Sequence, residues 1–395
     1  MSYALQREGV GYSPPRVSTV LPTVAEYFAG IGLFRMGLED AGWKVVYAND
    51  WNPEREQIYR GFFGHGYEVE DVFNVDPEHV PPVTLATCSF PCIDLSLAGN
   101  QGGLNGKHSS AFWGFYNILK NQGTGKPPML LLENVVGWLS TNQGADFLAV
   151  AKALNKIGYA CDAFTLDARC FVPQSRPRVF LLGISEVNLP DSRCKSADIF
   201  FPRSERLLPA KLKRLLLCND DIRWLRLDIP EPPPYKSCGF SGEVVEDLPL
   251  DDPRWWSNEK VEKHLGMMSP SHLSIIKKLV PGHDKISRTF YRRCRENGQR
   301  AEVRSDDVAG CLRTAIGGSG KQFMVTAKNG KVRMRTLTAR EYARLQGVPD
   351  AYRIAANTER QSLNAFGDAV CVPVVSWIAR NILTPLAEEL KLCCR

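Results

Sequence analysis

Over roughly the first half of the chain, short apolar runs alternate with helical patterns, and this rhythm restricts the fold to a doubly wound α/β sheet. The runs TVAEYF from Thr23, KVVYAND from Lys44, VTLATCSF from Val83, MLLLEN from Met129, YACDAFTL from Tyr159 and RVFLLGI from Arg178 read as strands. Helical periodicity fills the spaces between them at residues 33–41, 112–120 and 145–157. After Gly183 the rhythm stops, and a stretch rich in Pro, Arg and aromatic residues follows, with IPEPPP from Ile229 and the pair Trp255 and Trp256. A helical pattern returns at 338–346, and a last amphipathic helix is expected over 369–390. The simplest division is a catalytic α/β domain over 1–186, a smaller irregular domain over 187–332, and a C-terminal segment, 333–395, that returns to the first domain.

Composition narrows the classes. With 395 residues, 44% apolar and 23% charged, the chain has the makeup of a folded protein of about two domains. No apolar run approaches the roughly 20 residues needed to span a bilayer, and the N-terminus lacks a charged head followed by an apolar core, so a cytoplasmic protein away from membranes is expected. The twelve cysteines form no CxxC pair, and the six histidines do not cluster with them, so reduced thiols and no metal site are expected. Charge is uneven: residues 281–345 carry 15 Lys and Arg against 6 Asp and Glu, a net of +9, while the remainder has 34 against 37, a net of −3. A basic segment on a near-neutral body suits a polyanionic partner, although a solvated face would look the same.

The glycine-rich FAGIGLF, Phe28 to Phe34, sits between the first strand and the first helix. Glycines there let the backbone approach a ligand, and a helix N-terminus presents bare N–H groups to it. A GxG alone is weak, because turns use glycine everywhere. Its weight comes from order: Asn49, Asp50 and Trp51 end the second strand, where an acid can take ribose hydroxyls, and Asp71 ends a third, where it can receive an adenine amino group. Trp51 and Phe28 are candidates to sandwich the ring.

SFPCIDLS, Ser89 to Ser96, follows a buried strand and places Pro91 and Cys92 at the functional edge of a parallel sheet. Cys92 can act as a nucleophile there, although most cysteines are inert packed thiols. The next strand ends in Glu133 and Asn134. A carboxylate after four apolar residues is desolvated, so its pKa should rise and let it serve as an acid. QSRPR adds Arg176 and Arg178, suited to a carbonyl oxygen and a phosphate.

Taken together, FAGIGLFRMGLE, NDW, SFPCIDLS, LLENVVG, QSRPRVF, RTLTAREYARLQGVPDAY and FGDAVCVPVV resemble the motif series of the DNA cytosine-5 methyltransferases of bacterial and phage type. The resemblance spans 23–183 and 335–375 and implies a Rossmann-like fold dependent on S-adenosylmethionine, with double-stranded DNA as partner. It implies a cofactor site of Phe28, Ala29, Gly30, Gly32, Leu33, Asp50, Trp51, Asp71, Val72, Pro91, Asp368 and Ala369. Cys92 would attack carbon 6 of a flipped-out cytosine, Glu133 would hydrogen-bond ring N3 and the exocyclic amine, and Arg178 would hold the C2 carbonyl. Arg176 would brace the loop or a phosphate, and Asn134 would order the Pro91 turn. Residues 96–106, with Ser96 and Gln101, resemble the loop that closes over DNA, and Gly317, Gly318 and Lys321 join the DNA-contacting set.

The insert 187–332 would read the target sequence, with Lys and Arg of 288–304 on phosphates. The expected assembly is a monomer, with a restriction endonuclease as a separately acting partner. Three departures from the family pattern stand out: Ile93 where Gln is usual, Asp50 for Glu, and Asp368 for Asn. Rival readings are an RNA cytosine methyltransferase, a silent DNA-binding regulator that would have lost Cys92 or Glu133, and a dehydrogenase, which would explain only the N-terminal glycines.

Overall fold

The computed structural model describes residues 21–91, 110–189, 203–225, 227–281, 285–295, 298–314, 321–355 and 358–392. Its larger sheet contains β1 (Thr23–Tyr27), β2 (Lys44–Asp50), β3 (Tyr67–Val69), β4 (Leu85–Cys88), β5 (Met129–Val135), β6 (Tyr159–Asp167) and β7 (Pro177–Ser185). The strand order is β3-β2-β1-β4-β5-β7-β6. Pairings from β3 through β5 are parallel, whereas β7 runs antiparallel to both β5 and β6. The chain leaves β1 to build β2 and β3 on one side, then returns to build β4 on the other. The ends of β1 and β4 therefore part at a switch point, the place where a doubly wound sheet forms its crevice, and Phe28 and Ser89 are the first residues beyond them.

Strand alternation divides the interior. Val24, Leu85, Met129 and Leu131 pack into one apolar core, while Ala25, Tyr27, Ala86, Cys88, Leu130 and Leu132 pack into another on the opposite face. The helices follow the same division. α1 (Leu33–Asp40) and α2 (Pro53–Phe63) contribute Leu38 and Tyr59 to the first core, and α3 (Ala111–Asn121) and α4 (Ala145–Lys156) contribute Phe115 and Val150 to the second. At α1, Gly37 permits close approach of the C-terminal helix, since a Cβ there would lie 2.6 Å from that of Val375.

The insert is more regular than its composition suggests. After α5 (Ala210–Leu217) come α6 (Asn258–Gly266), α7 (Pro270–Leu279) and strands β8 (Ile286–Arg295), β9 (Gly298–Val303), β10 (Phe323–Lys328) and β11 (Lys331–Thr336). The strands form an antiparallel sheet in the order β11-β10-β8-β9, with its own core of Val261, Phe290, Phe323, Val325 and Met334. Its strands lack clean apolar alternation because Ser287 and Thr289 are as buried as Phe290, and Ser287 bonds Thr326 side chain to side chain at 2.9 Å. β11 crosses position 332. Residues 203–229 pack on the larger sheet instead: Leu225 N–H donates to the Cys161 carbonyl at 2.6 Å along the outer edge of β6, and Leu207 and Leu227 join its first core.

The last segment forms α8 (Ala339–Leu345), α9 (Glu359–Asp368), α10 (Val372–Ile378) and α11 (Thr384–Glu389). The final helix thus begins at Val372 rather than 369, because Ala369 and Cys371 are extended and Pro373 starts a new first turn. Residues Glu359–Glu389 have the length and apolar content of a membrane span, but the break at 369–371 divides them and 61% of their most apolar window is buried in the protein.

Candidate active site

The loop after β1 is bent by Gly30 and Gly32, at φ of 56° and 77°, with Phe28 between strand and turn also in the left-handed region at 58°. Such a φ is costly for a residue with a Cβ, so the surroundings must hold it. They do: Ala29 N–H donates to the Asn49 carbonyl at 3.0 Å and Gly30 N–H to Asp50 Oδ2 at 2.9 Å. The Gly30 carbonyl accepts from the Tyr67 hydroxyl and that of Ile31 from the Tyr352 hydroxyl. Gly32 caps α1 and has no side chain to take up the first-turn N–H groups near Leu33. This cradle fits an anionic or strongly polar cofactor.

Asp50 is buried, and its two oxygens accept from Gly30 N–H and Asn52 N–H. It shapes the turn. Trp51 is 65% exposed, so its face is open to a ring, whereas Phe28 is half-buried against the second core. Asp71 is exposed and accepts the Phe73 N–H at 3.0 Å, and Val72 beside it is buried.

At the end of β4, Phe90 is fixed edge-on to Trp138, and its carbonyl accepts from Asn134 Nδ2 at 3.2 Å. That bond anchors the chain just before Pro91. Cys92, Ser96, Gln101, Gly317 and Gly318 lie outside the described residues. Glu133, near the end of β5, meets Arg178 of β7 with Nε 2.9 Å from its Oε1. The antiparallel register sets Arg178 opposite Val135, which brings its guanidinium back over Glu133. Burial pushes the Glu133 carboxyl above the usual carboxylate range, against the opposing pull of Arg178 and Arg176.

Arg176 is enclosed by the protein rather than open to solvent. It is 2% exposed, with Nη1 donating to the Leu312 carbonyl at 2.8 Å and Nη2 to those of Gly367 and Ala369 at 3.0 and 2.8 Å. A guanidinium enclosed by carbonyls braces the joint between insert and C-terminal segment. Gln174 acts beside it, donating to the Leu345 carbonyl at 2.7 Å and accepting from Leu312 N–H at 3.1 Å.

Sequence reasoning missed Cys311, whose Sγ lies 3.5 Å from Arg176 Nη1 and 4.0 Å from Arg178 Nη1. Nothing in its surroundings along the chain signals this. It also missed Arg55, which pairs with Asp368. In the insert, the run 288–304 is less available than its charge suggests, since Arg288 pairs with Asp307 at 2.8 Å and Arg304 with Asp306 at 2.7 Å. Arg300 and Arg293 are exposed, and Lys321 is half-buried ahead of β10.

A mixed seven-stranded sheet with β7 inserted antiparallel before the edge, a glycine turn after β1 and an acid after β2 defines a Rossmann-like, S-adenosylmethionine-dependent methyltransferase. The chain belongs to the C-5 cytosine-specific DNA methylase family, whose profile matches residues 23–384. It is 26% identical over 365 residues to the Type II methyltransferase M.HhaI of Haemophilus parahaemolyticus, covering 90% of this chain and 93% of that protein. To M.HpaII of Haemophilus parainfluenzae it is 23% identical over 376 residues, covering 93% and 90%. Among solved structures, the Dnmt2 methyltransferase of S. pombe shares the fold with a TM-score of 0.57 at 19% identity, over 92% of this chain and 99% of that one.

Proposed function

We propose that this chain methylates carbon 5 of cytosine within a specific sequence of duplex DNA, with Cys92 as covalent nucleophile. The observation that carries the reading is the Glu133–Arg178 pair, set beside the Asn134 anchor of the Phe90–Pro91 turn at the switch-point crevice. Family membership sets the reaction class. The cofactor would rest on the Phe28–Leu33 cradle, with Asp50, Trp51 and Asp71 toward its adenosine, and it supplies an electrophilic methyl group when bound.

The chain's own residues perform the remaining work. The Cys92 thiolate adds to carbon 6 of the extruded base, and the displaced electron pair moves toward carbon 5. Glu133, whose carboxyl burial pushes above the usual carboxylate range, would donate to ring N3 and so stabilise that charge. Arg178 holds the C2 carbonyl. Once carbon 5 has taken the methyl group, its proton leaves to a base and the returning electron pair expels Cys92 as thiolate.

Recognition is assigned to the insert, with the sheet β8–β11 and helices α6 and α7 as its body and residues 203–229 as its attachment to the catalytic sheet. The working unit is a cytoplasmic monomer, and a cognate endonuclease would act separately. Bisulfite sequencing of DNA from cells expressing the chain should reveal one methylated motif, and DNA carrying 5-fluorocytosine in that motif should trap the protein covalently. A Cys92→Ala protein with ordinary turnover would overturn the assignment. In a chimera carrying residues 230–336 in a related enzyme, methylation of the recipient's own motif would place recognition elsewhere.

A further inference from the structure

Two family departures, Asp50 and Asp368, come from opposite ends of the chain, and one residue answers both. Arg55 lies in the first turn of α2, and its Nη2 is 2.5 Å from Oδ2 of Asp368, 313 residues away. Its Nη1 overlooks the glycine turn: a Cβ built on Gly30 would lie 3.4 Å from it. Gly30 in turn donates its N–H to Asp50. The Arg55 charge therefore stands between two carboxylates and directly over the cradle.

The position along the crevice identifies which end of the cofactor this pair would meet. In the order β3-β2-β1-β4, the adenosine-side residues Trp51 and Asp71 follow β2 and β3, while the methyl-accepting chemistry lies after β4. Asp368 belongs to the chemical side, because its backbone carbonyl accepts from Arg176 Nη2 at 3.3 Å, and Arg176 adjoins Arg178 through Cys311. The part of the cofactor on that side is the amino-acid end, a zwitterion with a carboxylate and an ammonium group. An arginine and an aspartate paired beside the glycine turn carry the charges complementary to those two groups.

We propose that Arg55 and Asp368 form an ionic clasp across the cofactor crevice and recognise the amino-acid end of the cofactor, Arg55 taking the carboxylate and Asp368 the ammonium group. The clasp joins α2 to the break between α9 and α10, so that binding and closure involve the same two side chains. Asp368 in place of asparagine is then a matched change, since its negative charge has a partner in Arg55. This inference rests on the cofactor reading given above.

Two ligands separate the possibilities by calorimetry: S-adenosylhomocysteine, which has the amino-acid end, and 5′-methylthioadenosine, which lacks it. Arg55→Ala and Arg55→Gln should each weaken S-adenosylhomocysteine by about tenfold or more, the scale of a lost charge-assisted hydrogen bond, while 5′-methylthioadenosine binds as to wild type. Asp368→Asn should move affinity in the same direction by less. If either arginine variant binds both ligands with unchanged affinity, or loses both equally, Arg55 does not recognise the amino-acid end. Failure of the wild-type protein to bind either ligand would instead refute the cofactor reading itself.

Discussion

The guanidinium of Arg178 holds Glu133 at 2.9 Å although the two residues lie on strands running in opposite directions, and both side chains are largely withdrawn from water. Burial raises the pKa of this carboxyl even with the arginine beside it. The acid form therefore persists to higher pH than in an exposed glutamate. Single-turnover methyl transfer should decline as pH rises through that shifted value, and Glu133→Gln should lower the rate by about 100 to 10,000-fold, the usual contribution of a positioned acid. A flat profile with a near-normal rate for the variant would remove Glu133 from the chemistry.

Cys311 should react as a second active-site thiol. Burial would raise its pKa, but Arg176, Arg178 and Arg313 outweigh that effect and hold it below the ordinary thiol value. In a Cys92→Ser background, peptide mass mapping of iodoacetamide-treated protein should show Cys311 alkylation levelling off below pH 9. A rate still climbing at pH 9 would contradict the arrangement of the arginines.

Glu26 of β1 is 2% exposed, and its Oε2 has no hydrogen-bond partner among the described residues. Burial raises its pKa from 4.5 to about 8, with Arg35 opposing the shift. Between those values the unfolded chain ionises this group and the folded protein does not, so its contribution is complete below pH 4.5 and is lost as pH rises through 8. The loss is up to about 5 kcal/mol, at about 1.4 kcal/mol per pH unit. Urea midpoints of Glu26→Gln should fall less than those of wild type between pH 5 and 8.5, and parallel curves would show that Glu26 is not the cause.

Arg335 and Glu341 form a fully buried ion pair, and Glu341 also closes a capping box with Thr338 at the start of α8. Its Oε1 accepts the Glu246 N–H at 2.9 Å, which ties the insert to this helix. Glu341→Ala should destabilise the protein by about 3–5 kcal/mol, because it strands a buried guanidinium. Replacing both partners by apolar residues should recover part of that loss. Chemical denaturation of the single and double variants gives both numbers, and equal losses would place the energy in the cap rather than the pair.

The sequence by itself determined the alternating sheet, the glycine turn, and the placing of Pro91, Glu133 and Asn134 at one edge, because these depend on short-range pattern and strand polarity. It also indicated that Glu133 would be desolvated, since MLLLEN places the acid directly after a buried run. Only the tertiary structure decided which partners those residues meet. Antiparallel insertion of β7 swings Arg178 onto Glu133, and closure of the C-terminal helices over α1 brings Asp368 to Arg55. The same closure surrounds Arg176 with carbonyls. The small sheet was illegible because polar Ser287, Thr289 and Thr326 are buried in it rather than facing water, with Ser287 and Thr326 hydrogen-bonded to each other. A linear pattern encodes each residue's own preference for water or apolar surroundings; pairings across hundreds of positions depend on how the packed elements meet.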